Sequence, residues 1–266
     1  MFTEYQLRQD WSQNLPKYYF DNSPLKTHFL NALSITFPEG EKFFIYSVKN
    51  YKDQITDPTQ QLEISTFIKQ ENWHSYVHRQ YNLWIARQGL PAESIEDLHI
   101  QKVANTKQRS SQRGTLCITV CMEHITSILA EWVLKHPEVL DKLDPHFRQV
   151  WVWHAIEEIE HNAVAIDVLN AIGGHRRRRR IMLLNTIDFI WGTTKNTVAL
   201  LKADKQLFKW RTVRDLISLL FNFKNGIVIK VFIPWLTFMK KDFHPSQYNM
   251  STLLTQYNKE TLKNTP

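Results

Sequence analysis

The sequence predicts an all-α protein in which several long helices pack together as a bundle. Only seven of the 266 residues are glycine, and the tight turns that join β-strands depend heavily on that residue. Apolar residues also recur at intervals of three and four, as they do on one face of a helix. Hydrophobic residues make up 43% and charged residues 22% of the chain, which are ordinary globular values. We therefore expect a single helical domain over residues 1–266.

Two helices are expected in the first third of the chain. The first should begin at Pro38-Glu39-Gly40, because proline favours the first helical turn and apolar residues then recur as far as Val48. The second should begin at Asp57-Pro58 and end before the break at Gly89-Leu90-Pro91. A surface connection should follow and end with the polar stretch Thr106 to Arg113.

Two more helices complete the expected bundle. The third should run from about Thr115 to Leu134, where His136-Pro137 stops it. The fourth should open at Leu143-Asp144-Pro145 and end at Gly173-Gly174. Residues 30–174 would thus form the part of the chain that carries the functional site.

Residues 175–266 are expected to form a basic run followed by a helical extension. The run consists of five consecutive arginines, Arg176 to Arg180. Two apolar helical stretches follow, Ile181 to Leu201 and Val213 to Leu220, and then a segment around Pro234. We expect these helices to cap the core of the bundle, and we leave open a peripheral contact with a membrane.

The basic run accounts for much of the net charge of +7 and the pI near 9.3. A nucleic-acid groove would need aromatic residues interleaved with the cations, so we expect no nucleic-acid partner. The N-terminus has no basic segment followed by an apolar run, and no uncharged apolar stretch approaches ~18 residues. Cys117 and Cys121 fit reduced, buried thiols. These features predict a cytoplasmic protein.

Carboxylates and histidines recur along the four expected helices. They are Glu41 on the first helix, Glu71 and His74 on the second, Glu123 on the third, and Glu158 and His161 on the fourth. At about 100° per residue, the two members of each Glu-x-x-His pair lie about 60° apart and share a face. The order Glu, Glu-x-x-His, Glu, Glu-x-x-His is the set with which ferritin-like bundles hold two metal ions. The fold expectation is therefore a ferritin-like four-helix bundle with additional C-terminal helices.

The alternative is that these residues lie on solvated helix faces and pair with their neighbours. Apolar residues such as Trp73 and Trp153 are interleaved with them, and burying an unpaired carboxylate is costly, which favours the metal site.

Two choices between neighbouring residues define the ligand set. We choose Glu41 over Glu39 because Glu39 precedes the expected helix, and Glu123 over His124 because adjacent residues point about 100° apart. Hydrogen bonds to metal ligands orient them. The candidates for that role are His78, His124 and Glu157.

His154 stands one turn before Glu158 and extends the last motif to His-x-x-x-Glu-x-x-His. This motif resembles the di-iron arylamine N-oxygenases, in which a third histidine adds to the usual ligands. The resemblance covers the ligand motifs alone, and it makes His154 a candidate seventh ligand.

A broader resemblance covers about residues 30–180 and points to a bacterial family called the predicted metal-dependent hydrolases. The segments that carry it are Phe37 to Phe44, Glu71-Asn72-Trp73-His74, Glu123-His124, His154 to His161, and Asp242-Phe243-His244-Pro245 near the end of the chain. The resemblance implies a metal site. The family's name also implies hydrolysis, which we leave open at this stage.

Two metal ions are the expected cofactors. Carboxylates with imidazoles suit iron, or manganese as the alternative, better than a thiolate-bound zinc. Our first hypothesis is a di-iron enzyme that uses O2 and an electron donor to oxidise an organic, apolar small molecule. The alternatives are a hydrolase in which the metals activate water, and a non-enzymatic metal-binding protein, which would form an oligomer. The chain contains no motif of zincins, serine hydrolases or P-loop proteins.

Overall fold

The computed structural model describes residues 6–263, with side chains as far as Tyr257. Within that part the chain forms helices and no strand, apart from one isolated bridge between Phe20 and Leu143. The all-α prediction is confirmed. In chain order the helices are α1 (Pro24–Lys49), α2 (Pro58–Arg87), α3 (Ala92–Arg109), α4 (Gln112–Leu134), α5 (Pro137–Leu140), α6 (Pro145–Glu160), α7 (Val164–Ala171), α8 (Arg178–Ala203), α9 (Trp210–Phe221), α10 (Ile227–Thr237) and α11 (Ser251–Lys263).

Helix α1 begins at Pro24 rather than at Pro38. The hydroxyl of Ser23 caps it by accepting a hydrogen bond from the backbone N–H of Lys26 at 3.3 Å. Pro38 lies in the interior of the helix. The predicted start at Pro38 is wrong, because a proline inside a helix is followed by the same apolar spacing as one in its first turn.

Glu39 therefore lies inside α1, and the reason given for preferring Glu41 is also wrong. The side chain of Glu39 is 15% exposed and lies 3.1 Å from Lys42 Nζ, whereas Glu41 is buried. The difference in burial makes Glu41 the residue that faces the interior.

Helix α2 has the bounds that the sequence predicts, but the segment after it is a helix rather than a surface connection. Only Ala92, Ile95 and Val103 of α3 are buried. A helix that is exposed on most sides shows little apolar periodicity, which explains why the pattern did not reveal it.

The expected fourth helix is two helices, α6 and α7, separated by a break that contains His161. Asn162 in this break donates from Nδ2 to Ser127 Oγ on α4 at 3.1 Å and holds the break against that helix. The prediction of one continuous helix to Gly173-Gly174 is wrong here, because neither glycine nor proline marks the interruption in the sequence.

Two helix pairs position the site. Helix α1 packs along α2, α4 packs against α6 and α7, and α1 also contacts α4. The C-terminal helices lie outside these pairs: α8 packs on α1 and α4, α9 on α1 and α10, α10 also on α4, and α11 on α6. Four helices paired in this way are what a ferritin-like bundle requires. That finer class and the single-domain expectation stay predictions.

Helix α4 is the one helix in the described part of the chain that is long and apolar enough to cross a bilayer. Within its most apolar window, 72% of the residues are buried inside the protein. Burial of this kind is what a core helix shows, and α4 also carries Glu123 toward the interior.

Candidate metal centre

Four helices and the break after α6 direct ionisable side chains into the interior of the bundle. They are Glu41 on α1, Glu71, His74 and His78 on α2, Glu123 on α4, His154, Glu157 and Glu158 on α6, and His161 in the break. None of them is more than 5% exposed. Burying so many ionisable groups is costly unless they become neutral, pair with one another or bind a cation.

These side chains form two overlapping groups, in each of which the ligand atoms lie within 4.8 Å of one another. The first group is Glu71, His74, Glu158 and His161, and the second is Glu41, His74 and His154. His74 belongs to both groups. Glu123 reaches the first group through His161, whose Nδ1 lies 3.1 Å from Glu123 Oε2. The structure thus brings all seven sequence-predicted ligands to one place.

Glu71 and Glu158 lie between His74 and His161. Glu71 Oε1 is 3.9 Å from His74 Nδ1 and 3.1 Å from His161 Nε2. Glu158 Oε1 is 3.6 Å from His74 Nδ1 and 4.0 Å from His161 Nε2. Ligand atoms that share one ion at ~2.1 Å are roughly 3–4.2 Å apart, so these spacings fit a metal ion. The two carboxylates are placed where they could hold a metal ion together with the histidines.

Several polar atoms of this cluster make no hydrogen bond of regular geometry among the described residues, although some of them lie close to one another. They are Glu41 Oε1, both carboxylate oxygens of Glu71, both ring nitrogens of His74, Glu123 Oε1, Glu157 Oε2, Glu158 Oε2 and His161 Nε2. Buried polar atoms are nearly always satisfied. Carboxylate oxygens and imidazole nitrogens left open at one place are a donor set for hard or intermediate cations. The residues therefore fit metal ions.

Electrostatics leads to the same conclusion. Burial raises the pKa of Glu158 to about 7 and that of Glu157 to about 9, and it raises the pKa values of Glu41, Glu71 and Glu123 well above their usual range. Burial lowers the pKa of His78 to about 3 and also lowers those of His74, His154 and His161. The histidines are therefore neutral and bring no positive charge. Bound cations would supply it and favour the ionised carboxylates.

Glu157 faces the side of His74 that points away from Glu71 and Glu158. Its Oε2 lies 2.9 Å from His74 Nε2, and its Oε1 accepts a hydrogen bond from Trp153 Nε1 at 2.9 Å. His74 thereby presents Nδ1 to the other two carboxylates. This is the arrangement in which a carboxylate orients a metal-binding histidine.

Pro38 stands at the start of a hydrogen-bond chain that ends at His154. Because Pro38 has no N–H, the backbone carbonyl of Ser34 has no helical partner. Asn82 on α2 takes that place: Nδ2 donates to the Ser34 carbonyl at 3.1 Å, and Oδ1 accepts from the Ser34 hydroxyl at 2.8 Å. A carbonyl can only accept, so the orientation of the Asn82 amide is determined.

The direction of every later hydrogen bond follows from that orientation. The one hydroxyl proton of Ser34 goes to Asn82, so Ser34 Oγ accepts from His78 Nδ1 at 2.9 Å. His78 Nε2 then accepts from His154 Nδ1 at 3.1 Å. His154 Nε2 is left with a lone pair 3.3 Å from Glu158 Oε1. A lone pair facing a carboxylate oxygen is repulsive unless a proton or a metal cation lies between them, and the lone pair leaves His154 Nε2 able to bind a metal.

His124 does not join the cluster. Its Nε2 lies 3.3 Å from the backbone carbonyl of Pro234 on α10, and its ring packs against Phe238 and Phe243. The next residue after an inward-facing Glu123 points about 100° away from it on a helix, which explains the placement.

Sequence reasoning missed Ser34, Ser75 and Asn82. Ser75 Oγ donates to Glu41 Oε2 at 2.8 Å. Asn82 follows His78 by one helical turn and so extends the polar stripe of α2. That spacing was visible in the sequence, whereas the role of Ser34 depends on the neighbouring helix.

An apolar cavity of about 70 Å³ adjoins the cluster, and His154 forms part of its wall. The rest of the wall is almost entirely apolar and includes Leu33, Phe37, Leu129, Trp151 and Phe189. The ring of Phe37 stacks on His154 with centroids 4.9 Å apart. Phe37 and Phe189 are themselves half-buried, so the cavity lies between the cluster and the protein surface.

Comparison with known proteins agrees with this site. The model of a family described as predicted metal-dependent hydrolases matches residues 4–249, a span that contains the whole cluster. Neither a curated protein nor a solved structure matches the chain. A metal-dependent family and buried Glu and His groups both indicate metal ions. The chain therefore belongs to the family of predicted metal-dependent hydrolases.

Proposed function

We propose that the chain is a di-iron enzyme that uses O2 to oxidise an apolar organic molecule. The observation that supports this most directly is that His154 belongs both to the buried cluster and to the wall of the apolar cavity. A substrate in that cavity would lie beside the metal centre, in surroundings from which water is largely excluded.

Seven side chains would hold the two ions: Glu41, Glu71, His74, Glu123, His154, Glu158 and His161. Bound iron would supply the redox chemistry for O2, and manganese is the alternative metal. Insertion of one oxygen atom into a substrate while the other becomes water consumes two electrons and two protons. An external electron-transfer protein would deliver these electrons.

Residues of the chain itself would bind the substrate, orient the metal ligands and exclude water. Phe37 and Trp151 line the cavity next to His154 and shield it from solvent. Glu157 and the chain from Asn82 to His154 fix which nitrogen of each histidine faces the carboxylates. A site pre-organised in this way loses little energy to rearrangement when its ions bind.

Hydrolysis is the second candidate, and the family's description favours it. In a hydrolase the two metals would activate a water molecule and polarise a carbonyl or phosphoryl group. Such substrates need polar groups to position them, and the cavity wall offers few besides His154 and Thr126. The apolar wall is the reason for placing oxidation first. It also argues against a protein that only stores metal, which needs no substrate cavity.

The state of the two cysteines is relevant to the cellular compartment of the protein. Cys117 and Cys121 are buried and free, one helical turn apart. Free thiols are usual where glutathione keeps the medium reducing, which is consistent with a cytoplasmic enzyme.

The test begins with metal analysis of the purified protein, followed by anaerobic loading with Fe(II) and rapid mixing with O2. Under our proposal the protein binds two irons per chain and consumes O2 with a transient absorbance change. Activity with redox-inert metals in the absence of O2 would instead establish hydrolysis.

A pair of neighbouring substitutions provides the control. Glu41→Gln removes a buried carboxylate of the cluster, whereas Glu39→Gln changes a partly exposed carboxylate on the same helix that lies outside the cluster. Loss of metal in Glu41→Gln alone supports the site. Equal metal content in both variants would rule out Glu41 as a ligand.

A further inference from the structure

Helices α8, α9 and α10 and the loops that join them expose large apolar side chains that a water-soluble surface would normally cover. Phe208 is 95%, Phe223 90%, Trp210 79% and Trp191 69% exposed. At 150–250 Å² for a whole aromatic side chain, these four alone present roughly 500–800 Å² to solvent. Patches of that size mark interaction sites rather than ordinary surface.

Helix α9 turns much of its apolar surface to the solvent. Its buried residues are Thr212, Asp215 and Leu219, while Val213, Ile217 and Phe221 are exposed. An ordinary surface helix does the opposite and turns its apolar stripe to the core. The outward apolar stripe is therefore not covered by the described residues.

Helices α8 and α10 continue this surface. On α8 the exposed residues Leu183, Ile187, Ile190 and Trp191 recur at helical spacing. Trp235 Nε1 on α10 donates to Thr186 Oγ1 on α8 at 2.9 Å, and α10 also packs on α9, so the three helices are neighbours.

Helix α10 is almost wholly apolar yet has no fully buried residue. Its outward stripe consists of Val228, Ile229, Phe232, Ile233 and Leu236. The expectation that the C-terminal helices cap the core, with a membrane contact left open, stays a prediction. Their inner sides pack on the bundle, and their outer sides are open.

The charge of residues 176–241, which include these helices, indicates the kind of partner that the surface would bind. Residues 176–241 contain fifteen Lys or Arg and three Asp, whereas the whole chain has 33 basic and 26 acidic residues. The segment is therefore strongly positive, and the remainder of the chain is net negative. Arg178 Nη2 donates to the backbone carbonyl of Lys240 at 2.9 Å, which places the arginine run beside Lys240 and Lys241, just after α10.

We propose that α8, α9 and α10 form a docking surface for an anionic phospholipid bilayer, with the aromatic residues in the interface and the cations on the lipid phosphates. Exposed Trp and Phe mixed with Lys and Arg are typical of helices that lie in a membrane interface. Each cation near an anionic surface adds to binding. A second copy of the chain fits poorly, because two strongly positive faces would repel each other.

The docking surface also contacts the cavity. Phe189, which lines the cavity, lies on α8 between the exposed Ile187 and Ile190. An apolar substrate could thus enter from the bilayer. This last point rests on the proposed function, whereas docking itself does not.

The test is flotation of the full-length protein with vesicles of phosphatidylcholine alone and of phosphatidylcholine with about 30% phosphatidylglycerol, at low and high salt. We expect binding to the anionic vesicles at low salt that weakens steeply in high salt. No binding to anionic vesicles, or equal binding to both compositions, would overturn the proposal.

Two sets of substitutions assign the binding to this surface. Lys209→Glu, Lys224→Glu and Lys230→Glu together should weaken vesicle binding roughly a hundredfold. Trp191→Ser with Phe223→Ser should weaken it at least about tenfold, and Leu62→Ser, which alters a similarly exposed apolar residue on α2, should leave it unchanged.

All variants should keep the helical circular dichroism of the wild type, because only exposed residues are altered, and this is measured first. If the aromatic variant binds vesicles as the wild type does, the surface is not the docking site. If it instead abolishes a dimer seen by sedimentation velocity while vesicle binding persists, the surface joins two copies and the proposal fails. Vesicle binding and sedimentation do not depend on bound metal or on turnover. Failure of the docking proposal can therefore be distinguished from failure of the proposed function.

Discussion

The substitution Asn82→Ala should lower both stability and metal affinity, for different reasons that follow from the hydrogen-bond chain between Asn82 and His154. In Asn82→Ala the buried carbonyl of Ser34 loses the donor that replaces the missing N–H of Pro38. An unsatisfied buried group costs about 1–3 kcal/mol, so we expect the free energy of unfolding of the metal-free protein to fall by that amount. Urea titration measures it.

The same substitution should also weaken metal binding. Without Asn82, the hydroxyl of Ser34 is free to donate to His78, whose other nitrogen then donates to His154. His154 Nε2 would carry the proton and lose its lone pair. Loss of groups that orient a ligand typically costs about 10–100-fold in metal affinity, which competition with a chelator under anaerobic conditions would measure.

Pro38→Ala separates the two effects. The alanine would supply an N–H to the Ser34 carbonyl, so the cost of Asn82→Ala in stability should be about 1–3 kcal/mol smaller in that background. The metal affinity should stay low, because the acceptor for the Ser34 hydroxyl is still absent. Asn185→Ala removes a hydrogen bond from an asparagine side chain to a backbone carbonyl within α8 and should not affect metal binding. Wild-type metal affinity in Asn82→Ala would refute the reasoning.

Three further predictions concern the metals directly. Glu158→Gln and His161→Ala should each lose at least one metal ion by elemental analysis while keeping the helical spectrum, and full retention in both would contradict the ligand assignment. Glu157→Gln should weaken metal binding about 10–100-fold, because His74 loses the carboxylate beside Nε2; an unchanged affinity would show that Glu157 does not orient His74. Removal of the metals by a chelator should lower the melting temperature by roughly 5–10 °C when the ions are at ~100 times their Kd, and an unchanged value would mean that the metals contribute nothing to folding.

The sequence was sufficient for the fold class and for most helices, because their apolar periodicity is strong and their caps are local. Asp57-Pro58 starts α2 as predicted. Helix α3 could not be predicted in the same way. It buries few residues, so its sequence resembles that of a polar connection.

The candidate ligand pairs could be predicted because the members of each pair stand three residues apart in the chain, although His161 lies just beyond the end of α6. The pairs Glu71 with His74 and Glu158 with His161 meet across helices as that spacing suggests. The protonation pattern could not be predicted. It depends on the Ser34 carbonyl of α1 meeting Asn82 of α2, a contact between residues far apart in the chain.

Two of the places where helix prediction fails, Pro38 inside α1 and the break after Glu160, lie beside the metal site. A proline inside a helix costs about 3 kcal/mol or more, and the interruption after Glu160 leaves α6 and α7 without continuous hydrogen bonding. Pro38 frees the Ser34 carbonyl, which holds Asn82. The break places His161, whose ring lies between Glu71 and Glu123. Natural sequences break local rules mainly where function requires it. A helix-forming substitution at Pro38 should therefore stabilise the metal-free chain, and it should not improve the site that the proline helps to set.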